Sequence, residues 1–148
     1  MHRIVIGLDG TEKDRSLVHW VADFADEVDA HVIAAHLIAH TTLWMLAGAQ
    51  ADSTHYIEDL RHHFEHNILP PLRQRDPALH LYVYIGDPAH ELAQIARRSQ
   101  ADLIAIGARN HAALHDVIFG NIERRLVHLS DIPVLTVPHH APRMHVVH

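Results

Sequence analysis

Strand-length apolar segments alternate along the chain with stretches of helical periodicity, and this alternation limits the possible folds more than any other feature. The apolar segments cover residues 3–8, 31–38, 79–85, 102–107 and 133–138. All but the third are nearly continuous in apolar residues, as is typical of parallel strands that are covered on both faces. Between them, apolar residues recur at intervals of three and four, which indicates amphipathic helices. The element order is therefore β-α-β-α-β-α-β-α-β.

This order predicts an α/β fold in the form of a three-layer sandwich. A five-stranded, mostly parallel sheet would carry helices on both faces, joined by right-handed crossovers. The length of 148 residues fits a single domain. We assign the domain to residues 1–138 and a His-rich C-terminal tail, expected to be loose, to residues 139–148. In such folds, ligands bind at the carboxyl ends of the strands, where the strand order reverses.

Local signals mark where two helices begin. Asp87 followed by Pro88 is a strong start, because Asp caps the free N–H groups of the first turn and Pro suits the first helical position. Thr11 with Asp14 three residues later resembles a weak N-cap pair.

The segment after the second strand is harder to interpret. Residues 41–53 have no clear period and suggest a loop or an early helical turn. Trp44 and Met45 within it are expected to be core anchors, with a lid or a dimer contact as the alternatives. A helix is predicted from residue 52 or 53 to about residue 75, and Pro70-Pro71 must kink or break its end.

Composition excludes several classes of protein. Eighteen acidic residues against twelve basic ones give a net charge of −6 with histidine neutral, without the basic stripe of a nucleic-acid binder. The apolar stretches are interrupted well before the roughly 18 residues of a membrane span. The N-terminus does not resemble a secretory signal, and there is no cysteine. We therefore expect a cytoplasmic protein that binds neither nucleic acid nor membrane.

Eighteen histidines raise the question of metal binding. His62 and His66 are four residues apart and His63 and His66 three, so either pair shares a helix face that could bind zinc or nickel. A solvated helix face is the more ordinary interpretation, and no ordered metal site is predicted. His36, on the second strand, is expected to be a packed, hydrogen-bonded residue.

Glycines after the fourth strand form the most informative pattern. The chain has Gly107-Ala108-Arg109-Asn110, nine residues, and then Gly120-Asn121-Ile122. Asp9-Gly10-Thr11 ends the first strand, Gly86-Asp87-Pro88 precedes a helix, and the last strand opens Pro133-Val134-Leu135. In register, these fragments resemble the universal stress protein family, whose signature is Gly, two residues, Gly, nine residues, Gly, then Ser or Thr.

The resemblance implies a Rossmann-like fold of the adenine nucleotide alpha hydrolase type and a role in the stress response. It implies that ATP or another adenine nucleotide binds, with Mg²⁺ if the ligand is ATP, to regulate the protein's interactions. It also implies a homodimer formed through the last strand, residues 133–138, with unknown protein partners.

Carried over by motif position, the resemblance implies a set of nucleotide-binding residues. Asp9 would contact the adenosine side and Leu37 would offer its backbone to adenine. The sugar and phosphates would be held by Gly107, Arg109, Asn110, Gly120, Asn121 and Ile122. A glycine turn before a helix suits phosphate, because backbone N–H groups and the helix N-terminus face the anion. Arg124 and Arg125, otherwise solvated helix positions, could also reach a phosphate.

Two signature positions depart from the family pattern, since Asn110 replaces the second Gly and Asn121 the Ser or Thr. Asn tolerates the left-handed conformation, and its amide can donate where a hydroxyl would. A side chain at position 110 nevertheless fills space that Gly leaves for the ligand. A dimeric protein-interaction module without nucleotide therefore stays open as the alternative, and a His-based metal or pH responder as a third.

The sequence gives little support for an enzyme. Neither a Gly-x-Ser-x-Gly elbow nor a P-loop is present, and there is no cysteine nucleophile. We predict no catalytic residues and leave open only a slow hydrolysis of bound ATP.

Overall fold

The computed structural model describes residues 2–48, 53–108 and 122–144. Within them, the strands are β1 (His2–Leu8), β2 (Ala30–Ile38), β3 (His80–Ile85), β4 (Leu103–Gly107) and β5 (Val134–Val137). The helices are α1 (Asp14–Val28), α2 (His40–Gly48), α3 (Ser53–His63), α4 (Pro70–Arg75), α5 (Pro88–Arg98) and α6 (Ile122–Leu129), with a π-helical segment over Phe64–Ile68.

The described strands form one five-stranded sheet in the order β3-β2-β1-β4-β5, and every pair in it is parallel. This confirms the predicted α/β architecture. Because β1 lies at the centre, Val5 is paired with Ile33 of β2 on one side and with Ile104 of β4 on the other. The chain moves outward from β1 in both directions, so the order reverses there, and a crevice is expected at the carboxyl ends of β1 and β4.

Each face of the sheet has its own apolar core. On one face, Ile4 and Ile6 of β1 pack with α1, the π-helical segment and α4. On the other face, Val5 and Ile104 pack under α5 and α6. Successive residues of β1 therefore serve opposite cores, as the pleat requires, and this explains why the strand is continuously apolar.

The helix predicted to reach residue 75 is divided near its end. The N–H of Leu69 bonds to the Phe64 carbonyl at 2.7 Å, which is a π-helical hydrogen bond. A new helix then begins at Pro70, whose ring nitrogen has no hydrogen to continue the ladder. The predicted break at Pro70-Pro71 is confirmed.

The structure differs from the expectations for the irregular segments. For residues 41–53 the sequence suggests a loop or an early helical turn, whereas residues 40–48 form the nine-residue helix α2, none of whose side chains is buried. Trp44 and Met45 are 79% and 73% exposed, so they are not core anchors. The start of the tail is also less loose than expected, because Arg143 makes two hydrogen bonds to the Asp23 carboxylate of α1 at 2.6 and 2.7 Å.

Candidate functional site

A cavity of about 630 Å³ opens at the carboxyl ends of β1, β2 and β4. Its volume lies in the range of roughly 300–1,000 Å³ that is usual for small-molecule sites. Four residues that the sequence places at a ligand site line it, namely Asp9, Leu37, Gly107 and Ile122. They come from the ends of three strands and the start of α6, so distant parts of the chain meet here. The other four, Arg109, Asn110, Gly120 and Asn121, lie outside the described residues.

The turn between β1 and α1 lines the cavity. Asp9 accepts hydrogen bonds from the backbone N–H and the hydroxyl of Thr11, at 2.8 and 2.6 Å. Gly10 has a φ of +86°, a left-handed conformation that L residues rarely adopt. Thr11 Oγ accepts a long hydrogen bond of 3.3 Å from Lys13 N, but Lys13 itself is the N-cap of α1 and no side chain caps the helix, so the predicted Thr11 cap is wrong.

Asp14 does not form its half of the predicted cap pair. Its carboxyl group accepts hydrogen bonds from the N–H groups of Asp9 (3.0 Å) and Gly10 (2.8 Å), and the residue is only 3% exposed. Burial, and secondarily the nearby Asp9 carboxylate, raise the pKa of Asp14 to about 8, against the opposing effect of the two N–H groups. At neutral pH the group holds its proton, so it supports the turn without adding charge to the cavity.

His36 forms part of the cavity wall and is buried, at 8% exposed. Its Nδ1 lies 2.8 Å from the Leu8 carbonyl oxygen, which can only accept, so Nδ1 carries the hydrogen. Burial lowers the pKa of the imidazole. The prediction of a packed, hydrogen-bonded histidine is confirmed, and the site has a neutral donor–acceptor ring at this wall.

An ion pair closes one side of the cavity. The Asp87 carboxylate caps α5 by accepting from His90 N at 3.1 Å, which confirms the predicted helix start. It also accepts hydrogen bonds from both terminal nitrogens of Arg125 in α6, at 2.6 and 2.7 Å. These hydrogen bonds hold the pKa of Asp87 below its usual value. Arg125 is thus fixed at the rim of the cavity rather than extended into solvent.

Sequence reasoning missed two features of this site, the burial of Asp14 and the contribution of α3 to the cavity wall. Asp14 lies three, four and seven residues before Leu17, Val18 and Val21, on the same face of α1. This helical position already indicated that its side chain would be buried. Tyr56 and Leu60 of α3 contribute to the cavity wall, and the sequence carries no signal for that contact.

Other functional candidates are not brought to the cavity. The rings of His62 and His66 stack on each other on α3 and the π-helical segment. Across residues 2–48, 53–108 and 122–144, no group of three or more His, Asp or Glu side chains is arranged to hold a metal ion. None of the helices in that part of the chain combines the length and apolarity needed to cross a bilayer.

Comparison with known proteins identifies relatives along nearly the whole chain. The model of the universal stress protein family matches residues 1–138. The universal stress protein YxiE of Bacillus subtilis (strain 168) is 24% identical over 145 residues, which cover 92% of this chain and 98% of that protein.

Solved structures agree on the fold. A universal stress protein in complex with cAMP superposes with a TM-score of 0.60 at 18% identity, covering 93% of this chain and 97% of that one. A universal stress protein of Archaeoglobus fulgidus in complex with dAMP gives 0.55 at 12% identity, covering 93% and 98%. The family match spans the strands, the cavity and the glycine motif, and the chain belongs to the universal stress protein family.

Proposed function

We propose that this protein binds an adenine nucleotide in the cavity at the carboxyl ends of the strands and that the bound nucleotide regulates its interactions during stress. The proposal rests on one observation: Asp9, Leu37, Gly107 and Ile122 line a single cavity of suitable volume. Two structural neighbours in complex with cAMP and dAMP support the choice of an adenine nucleotide.

The roles we propose for these residues are those that their motif positions imply. Asp9 contacts the adenosine side, and the backbone of Leu37 recognises adenine at the end of β2. Gly107, with Arg109 and Asn110, surrounds the sugar and the first phosphates.

The later phosphates are proposed to bind Gly120, Asn121 and Ile122, ahead of and within the first turn of α6. The helix N-terminus there favours an anion. When the ligand is ATP, Mg²⁺ would neutralise part of the phosphate charge.

The described charges are compatible with an anionic ligand. Asp14 holds its proton at neutral pH, and Asp87 is neutralised by Arg125, so these two acids do not repel a phosphate. Lys13 and Asp9 add opposite charges to the lining. A phosphate would also compete with Asp87 for Arg125, because guanidinium binds both groups through the same paired N–H donors.

Two glycines provide a test that does not depend on a clash within the protein. Among the residues that the structure describes, a Cβ atom added at Gly107, or at Gly48 in α2, meets no heavy atom within 4 Å. Of these two glycines, Gly107 lines the cavity and Gly48 is not among its lining residues. We expect Gly107→Leu to fold normally and to lose affinity for ATP–Mg²⁺ in isothermal titration, and Gly48→Leu to bind like the wild type.

Analysis of the nucleotide released by heat from freshly purified protein would complement the titration. Co-purified ATP, AMP or a cyclic form would define the ligand, and a titration with EDTA present would test the role of Mg²⁺. Equal affinity in Gly107→Leu and wild type would place the nucleotide elsewhere. No binding by the wild type would reject the proposal.

Universal stress proteins are commonly oligomeric. We propose a homodimer through residues 133–138, because β5 is an edge strand and Val134 and Leu135 are only partly buried. Edge strands expose backbone groups that a second copy can pair. Sedimentation would give twice the chain mass if this is correct and the monomer mass if it is not. We also propose a cytoplasmic location, on the sequence features given above.

A nucleotide-free interaction module is the second candidate. It is favoured by α2, an apolar helix that leaves Trp44 and Met45 largely exposed. Aromatic residues and Met are enriched at protein–protein interfaces relative to the rest of the surface. This candidate predicts wild-type protein without bound nucleotide and without a heat of binding for ATP.

A further inference from the structure

Two histidine rings lie against each other on an exposed helix face, and neither belongs to the described residues that line the cavity. The imidazoles of His62, in the last turn of α3, and His66, in the π-helical segment, stack with centroids 3.9 Å apart and planes at 28°. Both residues are exposed. They are one turn apart, so a single ion can contact both rings.

Hydrogen bonding defines which nitrogen of His66 can bind a metal. Its Nδ1 lies 2.9 Å from the backbone carbonyl oxygen of His62. A carbonyl can only accept, so Nδ1 carries the hydrogen and the lone pair is on Nε2. Metal-binding histidines generally donate their second ring nitrogen in this way, which fixes the tautomer and the ring orientation.

The neighbouring His63 has the opposite arrangement. Its Nδ1 lies 3.1 Å from the side-chain amide nitrogen of Asn67, which can only donate. The lone pair of the neutral ring is therefore on Nδ1 and is already used, while Nε2 carries the hydrogen and is buried without a partner among the described residues. The sequence left two pairs open, and the structure favours His62 with His66 over His63 with His66.

We propose that His62 and His66 form a two-histidine site for a late first-row divalent cation, with Cu²⁺ bound more tightly than Ni²⁺ or Zn²⁺. Imidazole suits these ions, and Cu²⁺ stands highest in the general order of affinities. The His62 ring turns out of the stack so that its lone pair and Nε2 of His66 converge on the ion at about 2.0–2.1 Å. Water completes the coordination, since the described part of the chain offers no third protein ligand there.

The site would join two segments of different helical geometry. His62 belongs to α3 and His66 to the π-helical segment, so a bound ion bridges the transition between them. The same α3 contributes Tyr56 and Leu60 to the cavity wall. Because the ion binds the folded pair and not the unfolded chain in this geometry, it should raise the melting temperature.

The test uses the full chain and Cu²⁺ alone as the probe, with Zn²⁺ in parallel. His66→Gln and His62→Gln remove one ligand each, and His63→Gln is the matched control on the same helix. The tail histidines are common to all four proteins, so their binding cancels in the comparison. Circular dichroism without metal checks that each variant is folded.

We expect His66→Gln and His62→Gln each to weaken Cu²⁺ binding by at least the roughly tenfold loss that changes to outer-shell partners alone cause. The Cu²⁺ electron paramagnetic resonance spectrum should lose one coordinating nitrogen. His63→Gln should bind like the wild type. Equal binding by wild type and His66→Gln would overturn the proposal. An equal loss in His63→Gln would overturn the choice of ligands.

Discussion

The Asp87 carboxylate at the side of the cavity has two partners, and the contribution of each to the free energy of unfolding can be measured. It caps α5 through His90 N and pairs with Arg125 of α6, which lies 38 residues further along the chain. Asp87→Ala removes both contacts. Asp87→Ser keeps a capping oxygen but not the ion pair, and Arg125→Gln removes the ion pair but not the cap.

The two contacts differ in expected size. Loss of a capping side chain costs about 1 kcal/mol. The side chains of Arg125 and Asp87 are 45% and 40% exposed, so solvent screens their interaction and a value of about 0.5 kcal/mol is appropriate. Asp87→Ala should therefore lower the free energy of unfolding by about 1.5 kcal/mol. For a chain of this size that corresponds to a melting temperature lower by roughly 4 °C.

Urea unfolding of the single variants and of Asp87→Ala with Arg125→Gln gives a double-mutant cycle. We expect a coupling energy of about 0.5 kcal/mol between the two positions. The Arg125 hydrogen bonds lower the folded-state pKa of Asp87 below 3.8. The ion pair's contribution is thus complete above that pH and is lost as the pH falls through the lowered pKa.

Each component can be refuted separately. Equal stability of Asp87→Ser and Asp87→Ala would refute the capping role. A coupling energy of zero at neutral pH would show that the ion pair adds nothing to stability, in spite of its short hydrogen bonds. A coupling that persists unchanged well below the folded-state pKa would refute its electrostatic origin.

Two further perturbations test the core and the buried acid. In Gly7→Ala, the new Cβ would lie 2.7 Å from Leu92 Cδ2, so we expect the free energy of unfolding, measured with urea, to fall by about 1–3 kcal/mol. Adding Leu92→Val should recover part of this loss, and no recovery would contradict the clash. Because burial raises the pKa of Asp14 from 3.8 to about 8, its contribution to stability is complete below the lower value and is lost as the pH rises through the higher one. Asp14→Asn, which cannot ionise, should therefore become more stable relative to the wild type between about pH 5 and about pH 9, and a constant difference between the two proteins would contradict the buried, protonated acid.

Much of the fold was predictable because it depends on local signals. The strand-length apolar runs and the helical spacing recur within a few residues, so the five strands and the parallel sheet could be inferred before any contact was known. The start of α5 was predictable for the same reason, since Asp87 and Pro88 act on the first turn alone. The break at Pro70 follows from a missing N–H group.

The glycine motif and the end of β1 also indicated where a ligand would bind. Asp9, Leu37 and Gly107 were assigned to that site from their motif positions, and the cavity brings them together. The environment of each side chain was less accessible. Trp44 was expected to be a core anchor, with a lid or a dimer contact as the alternatives, but its side chain on α2 is 79% exposed.

The sequence by itself determined the five strands, their order along the chain and the family, because these depend on periodicity and on motifs that lie close together in the chain. Only the tertiary structure decided the strand order, the protonated Asp14 beneath the β1–α1 turn and the pairing of Asp87 with Arg125. Those features depend on which distant groups meet and how much water they exclude. Helical spacing indicates that Asp14 faces inward, but the extent of its burial and the pairing of Asp87 with Arg125 are properties of the assembled fold.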